Sequence, residues 1–153
     1  MSFRNLFTSY EGRIGRKAFW IGNLIIIAIM LVIVASLAVI KLANDIELGR
    51  RGEAILGLML FLIPLYPWTA IYVKRLHDRG RPGILAALYL VPAFLAEVAA
   101  VLGIAGDPDN WNVFDYLFNG IVLVVAIWFL IELGFLRGTP GPNRYGPDPL
   151  AKA

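Results

Sequence analysis

Apolar and polar positions separate along this chain into long blocks. Four stretches, residues 19–40, 54–73, 84–106 and 116–136, are almost wholly apolar and hold two charged residues between them, Glu97 and Glu132. Spanning about 30 Å of hydrocarbon takes about 20 helical residues at about 1.5 Å each, and all four stretches reach that length. The alternation of a membrane β-barrel is absent, since residues 24–31 read Leu-Ile-Ile-Ile-Ala-Ile-Met-Leu. Only helices then satisfy their backbone groups in lipid. The predicted fold is all-α: an integral membrane bundle of four transmembrane helices, one membrane domain over residues 1–153. The flanks 1–18 and 137–153 are too short to bury a core of their own.

Finer patterning adds two features. Phe3, Leu6, Phe7 and Tyr10 recur at i, i+3, i+4 and i+7, which predicts a short amphipathic N-terminal helix in the inner interface. A start that is apolar by chance is the alternative. Pro64 and Pro67 each remove an N–H from span 2 and predict a kink in its inner half, while Pro92 frees the Leu88 carbonyl in span 3.

Composition sharpens the class. Hydrophobic residues make up 59% of the chain and charged residues 16%, against about 45–50% and about 25% in soluble domains. Together with the segregation of charge, this excludes a soluble enzyme, a disordered chain and a nucleic-acid-binding domain. The chain has no Cys and one His, so disulfides, thiolate chemistry and His-rich metal sites are excluded. No calcium loop, phosphate loop or His-Glu-x-x-His motif is present. No metal or cofactor is expected.

Charge sets the threading. With both termini inside, the inner segments carry 11 Lys and Arg, Lys152 included, and the outer loops 3. The positive-inside rule then places both ends in the cytoplasm. Loop 107–115 has no cation and carries Asp107, Asp109 and Asp115, which suits the outer face. The 22 apolar residues of span 1 exceed the 7–15 of a signal-peptide core, so an uncleaved first helix is predicted.

Three inner segments carry further signal. Residues 12–20 hold Arg13 and Arg16, three apart and expected on one helical face. Residues 74–83 read Lys-Arg-Leu-His-Asp-Arg-Gly-Arg-Pro-Gly. Here the cations suit a helix C-terminus, Gly80 suits a left-handed cap, Lys74 and Asp78 are spaced as an i,i+4 pair, and Pro82 suits the first helical position of span 3. His77 is the side chain whose ordinary range lies near neutrality. The Pro/Gly-rich tail 137–153 reads by default as disordered, but Asn143, Arg144, Tyr145 and Asp148 interleave with prolines like a fixed strap. The threading puts all three segments on one side, so a cap gathering Arg13, Arg16, Arg75, His77, Asp78, Asn143 and Arg144 is feasible.

These same segments carry a resemblance. Gly12-Arg13-x-x-Arg16 running into Phe19-Trp20, Arg75-Leu76-His77-Asp78, and Gly138-Thr139 through Asn143-Arg144-Tyr145-Gly146 to Asp148-Pro149 resemble the bacterial inner-membrane family catalogued as domain of unknown function 805. The resemblance covers nearly the whole chain. Arg81-Pro82-Gly83 stands where members often have Ser-Gly-Trp. The resemblance implies a helical protein of the bacterial inner membrane, and no activity, substrate or catalytic residue.

Acids at membrane depth cost about 2.5–3.5 kcal/mol on insertion scales, so Glu97 and Glu132 need reasons. Glu132 is five residues from Arg137 and is expected to be structural, snorkelling inward, with Asn23 of span 1 as its partner. Glu97 shares a face with Ala93 and Ala100 and is expected buried in the bundle, either on a proton or cation path or bonded to a neighbouring helix. Three functions follow. The leading one is a non-enzymatic module binding a protein partner or anionic lipid headgroup through the basic cytoplasmic face. Second is a small oligomeric transporter or channel using Glu97. Third is a headgroup enzyme with Arg13 and Arg16 as anion clamp and His77 as acid, for which no nucleophile is visible. Membrane lipid, a membrane-protein partner or a second copy are the expected partners, and nucleic acid is not.

Overall fold

The computed structural model describes residues 3–106 and 110–151. Asp107, Asp109 and Lys152 lie outside the described residues. Helix α1 (Phe3–Thr8) is followed by α2 (Arg16–Ala43), α3 (Arg50–Leu62), α4 (Leu65–Asp78), α5 (Ala87–Val101) and α6 (Val113–Phe129). A 3₁₀ turn, Gly83–Ala86, leads into α5, and a π-helical turn, Leu130–Phe135, extends α6. The described residues form no strand. Three of these rods cross a membrane by length and composition: α2, the 19 residues from Gly83 to Val101, and the 23 residues from Val113 to Phe135. The pair α3 and α4, bent by 43°, is the fourth candidate span, and its apolar stretch ends at Val73. The chain is a helical integral membrane bundle.

The bend falls where span 2 loses donors. Pro64 has no N–H for the carbonyl of Leu60, so α3 ends and α4 restarts, with Trp68 N donating to Pro64 O at 2.9 Å. Pro67 is tolerated because it stands in the first turn of α4, where an N–H has no partner within the helix. At the other membrane end, Asn112 caps α6. Its side chain accepts from the amides of Phe114 and Asp115, and Asp115 accepts from Asn112 N in return.

Packing is concentrated at one end of the bundle. Leu6, Ile14, Phe19, Ile26, Ile71, Leu76, Phe129 and Leu133 form the buried core. In α2 the buried residues are Phe19, Gly22, Asn23 and Ile26, all in its first three turns, and α3 has none. The opposite halves of the helices present Leu, Ile and Val outward, as lipid-facing surfaces do. The N-terminal helix is present and turns Leu6 into the core beside Ile71.

Helix α4 ends in a Schellman turn. Arg81 N donates to Leu76 O at 2.9 Å and Gly80 N to His77 O at 3.0 Å, with Gly80 at φ +70°. The expected place of Pro82 as first helical residue is corrected: it precedes the 3₁₀ turn with ψ 138°, because the chain is still turning out of the α4 cap. Gly80→Ala should destabilise the protein by roughly 1–2 kcal/mol, the cost of a Cβ in the left-handed region. The midpoint of denaturation in detergent reports it, and an unchanged midpoint contradicts this turn.

Candidate functional site: a buried polar cap

Every helix C-terminus leaves four carbonyls without helical partners. Three C-termini, those of α1, α4 and the π-turn after α6, finish at the same end of the bundle, and donors from other segments meet their carbonyls. After α6, Arg75 Nε donates to Leu133 O at 2.7 Å, Trp20 Nε1 to Gly134 O at 3.1 Å, Arg16 Nη1 to Phe135 O at 3.1 Å and Arg75 Nη2 to Leu136 O at 2.6 Å. Arg79 reaches the next carbonyl, that of Arg137. At α1, Lys74 Nζ donates to Asn5 O and Leu6 O at 2.5 and 2.7 Å, and the Tyr66 hydroxyl to Thr8 O at 2.8 Å. At α4, the Thr139 amide donates to Asp78 O at 2.8 Å and Asn143 Nδ2 to His77 O at 3.0 Å. Cations at helix C-termini also meet the negative end of the macrodipole.

Asp78 is the hub. Its Oδ1 accepts from Arg13 Nε and Nη2 at 3.1 and 3.0 Å, and its Oδ2 accepts from Arg75 Nη1. All three side chains are buried. Arg13 also donates to Gly141 O and Thr139 O at 2.7 and 2.6 Å, which ties the tail to α4. A side chain on Gly138 would collide with the Asp78 carboxylate, so glycine is required there. Burial pushes the Asp78 carboxyl above its ordinary range, against the opposing pull of Arg13 and Arg75. Removing one partner from such a buried cluster costs roughly 3–5 kcal/mol, because a charge is left without compensation.

Over residues 138–151 the tail is an ordered strap. Asn143 and Gly146 exchange backbone hydrogen bonds at 3.0 Å. Asp148 accepts from the amides of Gly141 and Leu150 at 3.0 and 2.9 Å, and these two bonds hold its carboxyl below the ordinary range. Tyr145 stacks on His77 with centroids 3.8 Å apart and planes 5° apart, and the Arg144 guanidinium lies 4.7 Å from the tyrosine centroid.

The structure therefore brings together Arg13, Arg75, His77, Asp78, Asn143 and Arg144, with Arg16 at the edge. Several local expectations are corrected. Arg13 and Arg16 share no helical face, because α2 begins at Arg16 and Arg13 lies in the preceding loop. Lys74 does not pair with Asp78. It is drawn to the α1 carbonyls, while Asp78 takes the two arginines. Asn23 does not partner Glu132, since its amide donates to Phe19 O one turn back at 2.8 Å. Glu132 instead accepts from Arg79 and Arg81 at 3.2 and 2.7 Å. Glu97 is half-buried rather than buried. It faces Gly57 of α3 across a small-residue contact, accepts no hydrogen bond from the described residues, and borders a cleft of about 180 Å³ with Ala96, Asp115 and Asn119. Sequence reasoning missed Lys74, Trp20, Thr139 and Gly138. The acid Glu132 beside a loop rich in arginine was the signal for its true partners.

A four-span helical bundle closed at one end by a strapped polar cap defines the class. The chain belongs to the family described as "Protein of unknown function (DUF805)", whose model matches residues 7–147. It is similar to the "Uncharacterized protein YiiR" of Escherichia coli K12, 35% identical over 97% of this chain and 90% of that one. It is also similar to the "Inner membrane protein YhaI" of the same organism, 29% identical over 94% and 87%, and to the "Inner membrane protein YhaH", 27% identical over 94% and 88%. No solved structure matches the chain.

His77 gives the cap a pH dependence. It lies beyond the apolar stretch that ends at Val73, with Nδ1 3.2 Å from Gly12 O. Burial lowers its pKa, the Gly12 carbonyl opposes that and Arg144 adds to it. A lowered folded-state pKa means that the unfolded chain binds more protons through that window. Stability is thus full above the ordinary value of about 6.5 and falls as pH drops through the folded-state value. The melting temperature in detergent should fall between about pH 7.5 and 5.5, and His77→Gln, which cannot charge, should shrink that fall. An equal fall in both proteins contradicts the assignment.

Proposed function

We propose that the protein is a non-enzymatic module of the bacterial inner membrane, a single four-span domain with both ends in the cytoplasm, that binds anionic lipid headgroups at its basic cytoplasmic face. The observation that carries this reading is how the cap divides its charge. Arg13, Lys74 and Arg75 are buried and spent on internal acceptors. Among the described residues, Arg4, Arg16, Lys17, Arg81, Arg137 and Arg144 are exposed at that end, against one exposed acid, Glu11. Asp78 is met inside the cap by Arg13 and Arg75, and Glu132 by Arg79 and Arg81 at its edge, so the rim keeps a net positive charge. Each such cation gains about 1 kcal/mol near an anionic surface. The binding residues of this reading are therefore Arg16 and Arg144 with Lys17 and Arg137, while Arg13, Arg75, His77, Asp78 and Asn143 hold the face in shape.

A second reading keeps one observation of its own. Glu97 is a carboxylate within a span that borders a cleft and accepts no hydrogen bond from the described residues. It supports a small oligomeric transporter or channel, and proton flux in liposomes abolished by Glu97→Gln would favour it.

The lipid reading is tested by native mass spectrometry of the full chain with added phosphatidylglycerol or phosphatidylcholine of equal chain length. Phosphatidylglycerol should be retained in excess, and the combined Lys17→Gln, Arg137→Gln, Arg144→Gln protein should lose most of that excess. Equal retention of both lipids by the unaltered protein, or an acidic protein co-purifying in place of lipid, contradicts it.

A further inference from the structure

At the membrane end opposite the cap, α2 and α3 diverge. Helix α2 is about 42 Å long at about 1.5 Å per residue, yet none of its residues beyond Ile26 is buried. Helix α3 is turned aside by the 43° bend at Pro64. The wedge between them is a cleft of about 590 Å³, within the roughly 300–1,000 Å³ of small-molecule sites. Its walls are apolar: Val34, Leu37 and Ala38 from α2 face Leu56 and Leu60 from α3. Its mouth is charged: Lys41, Asp45, Glu47 and Glu53. Lys41 is paired with Glu53, which leaves Asp45 and Glu47 as a surplus of two negative charges among the lining residues, while Arg50 and Arg51 line a separate cleft.

We infer that this cleft binds one phospholipid whose headgroup carries both a phosphate and a primary ammonium, with an acyl chain lying between α2 and α3. The walls lie within spans 1 and 2, where hydrocarbon is the solvent, so an acyl chain matches them along their length. The mouth then selects the headgroup. Lys41 gives one N–H to Glu53 and has two more for the phosphate, and Asp45 and Glu47 are the acids for the ammonium. A purely anionic headgroup meets the surplus negative charge and is disfavoured. A second copy of this chain is disfavoured for the same reason, since it brings an identical acidic mouth against the first. This preference is opposite in sign to that of the basic rim at the other end, and the two sites stand independently.

The probe is phosphatidylethanolamine against phosphatidylglycerol of the same chains, added to the full chain in detergent and read by native mass spectrometry. One phosphatidylethanolamine should stay bound at collision energies that strip phosphatidylglycerol from this site. Ala38 is exposed on α2, so Ala38→Trp fills the cleft without entering the core and should reduce that retention at least tenfold. Asp45 has φ +50°, a region asparagine adopts readily, so Asp45→Asn with Glu47→Gln keeps the turn and should abolish the preference for phosphatidylethanolamine while leaving a lipid bound. Undiminished retention by Ala38→Trp overturns the site. So does an unchanged headgroup preference in the charge variant, or a lipid-free dimer that Ala38→Trp dissociates. Loss of phosphatidylglycerol binding on neutralising Lys17, Arg137 and Arg144, with phosphatidylethanolamine retained, leaves this inference standing and reports only on the cap.

Discussion

Carbonyl groups at helix ends need donors, and three helices of this protein end at the same place. That constraint organises the cap. Water would serve such carbonyls at an open surface, but a folded strap and a buried core cover them here. The donors therefore come from the chain itself. Arg75 is the extreme case: fully buried, it serves Leu133 O, Leu136 O and the Asp78 carboxylate at once. Asp78 compensates Arg75 and Arg13 together, and Arg13 passes the connection on to the tail through Thr139 and Gly141. One carboxylate thus links the loop before α2, the end of α4 and the C-terminal strap. One carboxylate does not neutralise two guanidiniums, and backbone carbonyls accept from their remaining N–H groups.

The same constraint changes what the basic composition means. A count of Lys and Arg at the cap end treats all of them as surface. In the fold, some neutralise helix ends and acids inside the cap, and others form a rim. Threading and internal architecture thus draw on the same residues: the cations that the positive-inside rule counts also close the cap. Tight packing at that end leaves the other end of the bundle open, and the Pro64 bend opens it further. Rigidity and access to lipid are therefore divided between the two faces of the membrane.

Much of this was legible in the amino-acid order. The four spans follow from unbroken apolar length, the break near Pro64 from the chemistry of proline, and the left-handed Gly80 from its place after a basic helix end. Threading makes a cap of residues 12–20, 74–83 and 138–148 feasible, and the structure brings them together. Individual partners were not legible. The spacing of Arg13 and Arg16 shows a shared face only if a helix contains both, and α2 starts between them. The pairing of Lys74 with Asp78 was plausible by spacing, but backbone carbonyls of α1 compete for the ammonium and leave no mark in the sequence. Asn23 bonds to its own helix for the same reason. The pattern predicts an enclosed Glu97, and the small residues around it, Ala96, Ala99, Ala100 and Ala105, instead line a cleft beside it. Within the described residues, the missed contacts are mostly those whose acceptor is the main chain.

Hydrogen–deuterium exchange of the full chain in lipid bilayers, comparing the unaltered protein with Asp78→Ala, tests the role of the buried carboxylate most directly. The amides of Thr139, Gly141, Asn143 and Gly146, all hydrogen-bonded within the cap, should exchange slowly in the unaltered protein. In Asp78→Ala they should approach coil rates while α5 and α6 stay protected. Coil-like exchange of these amides in the unaltered protein, or undiminished protection in the variant, would contradict the claim that Asp78 fastens the cap.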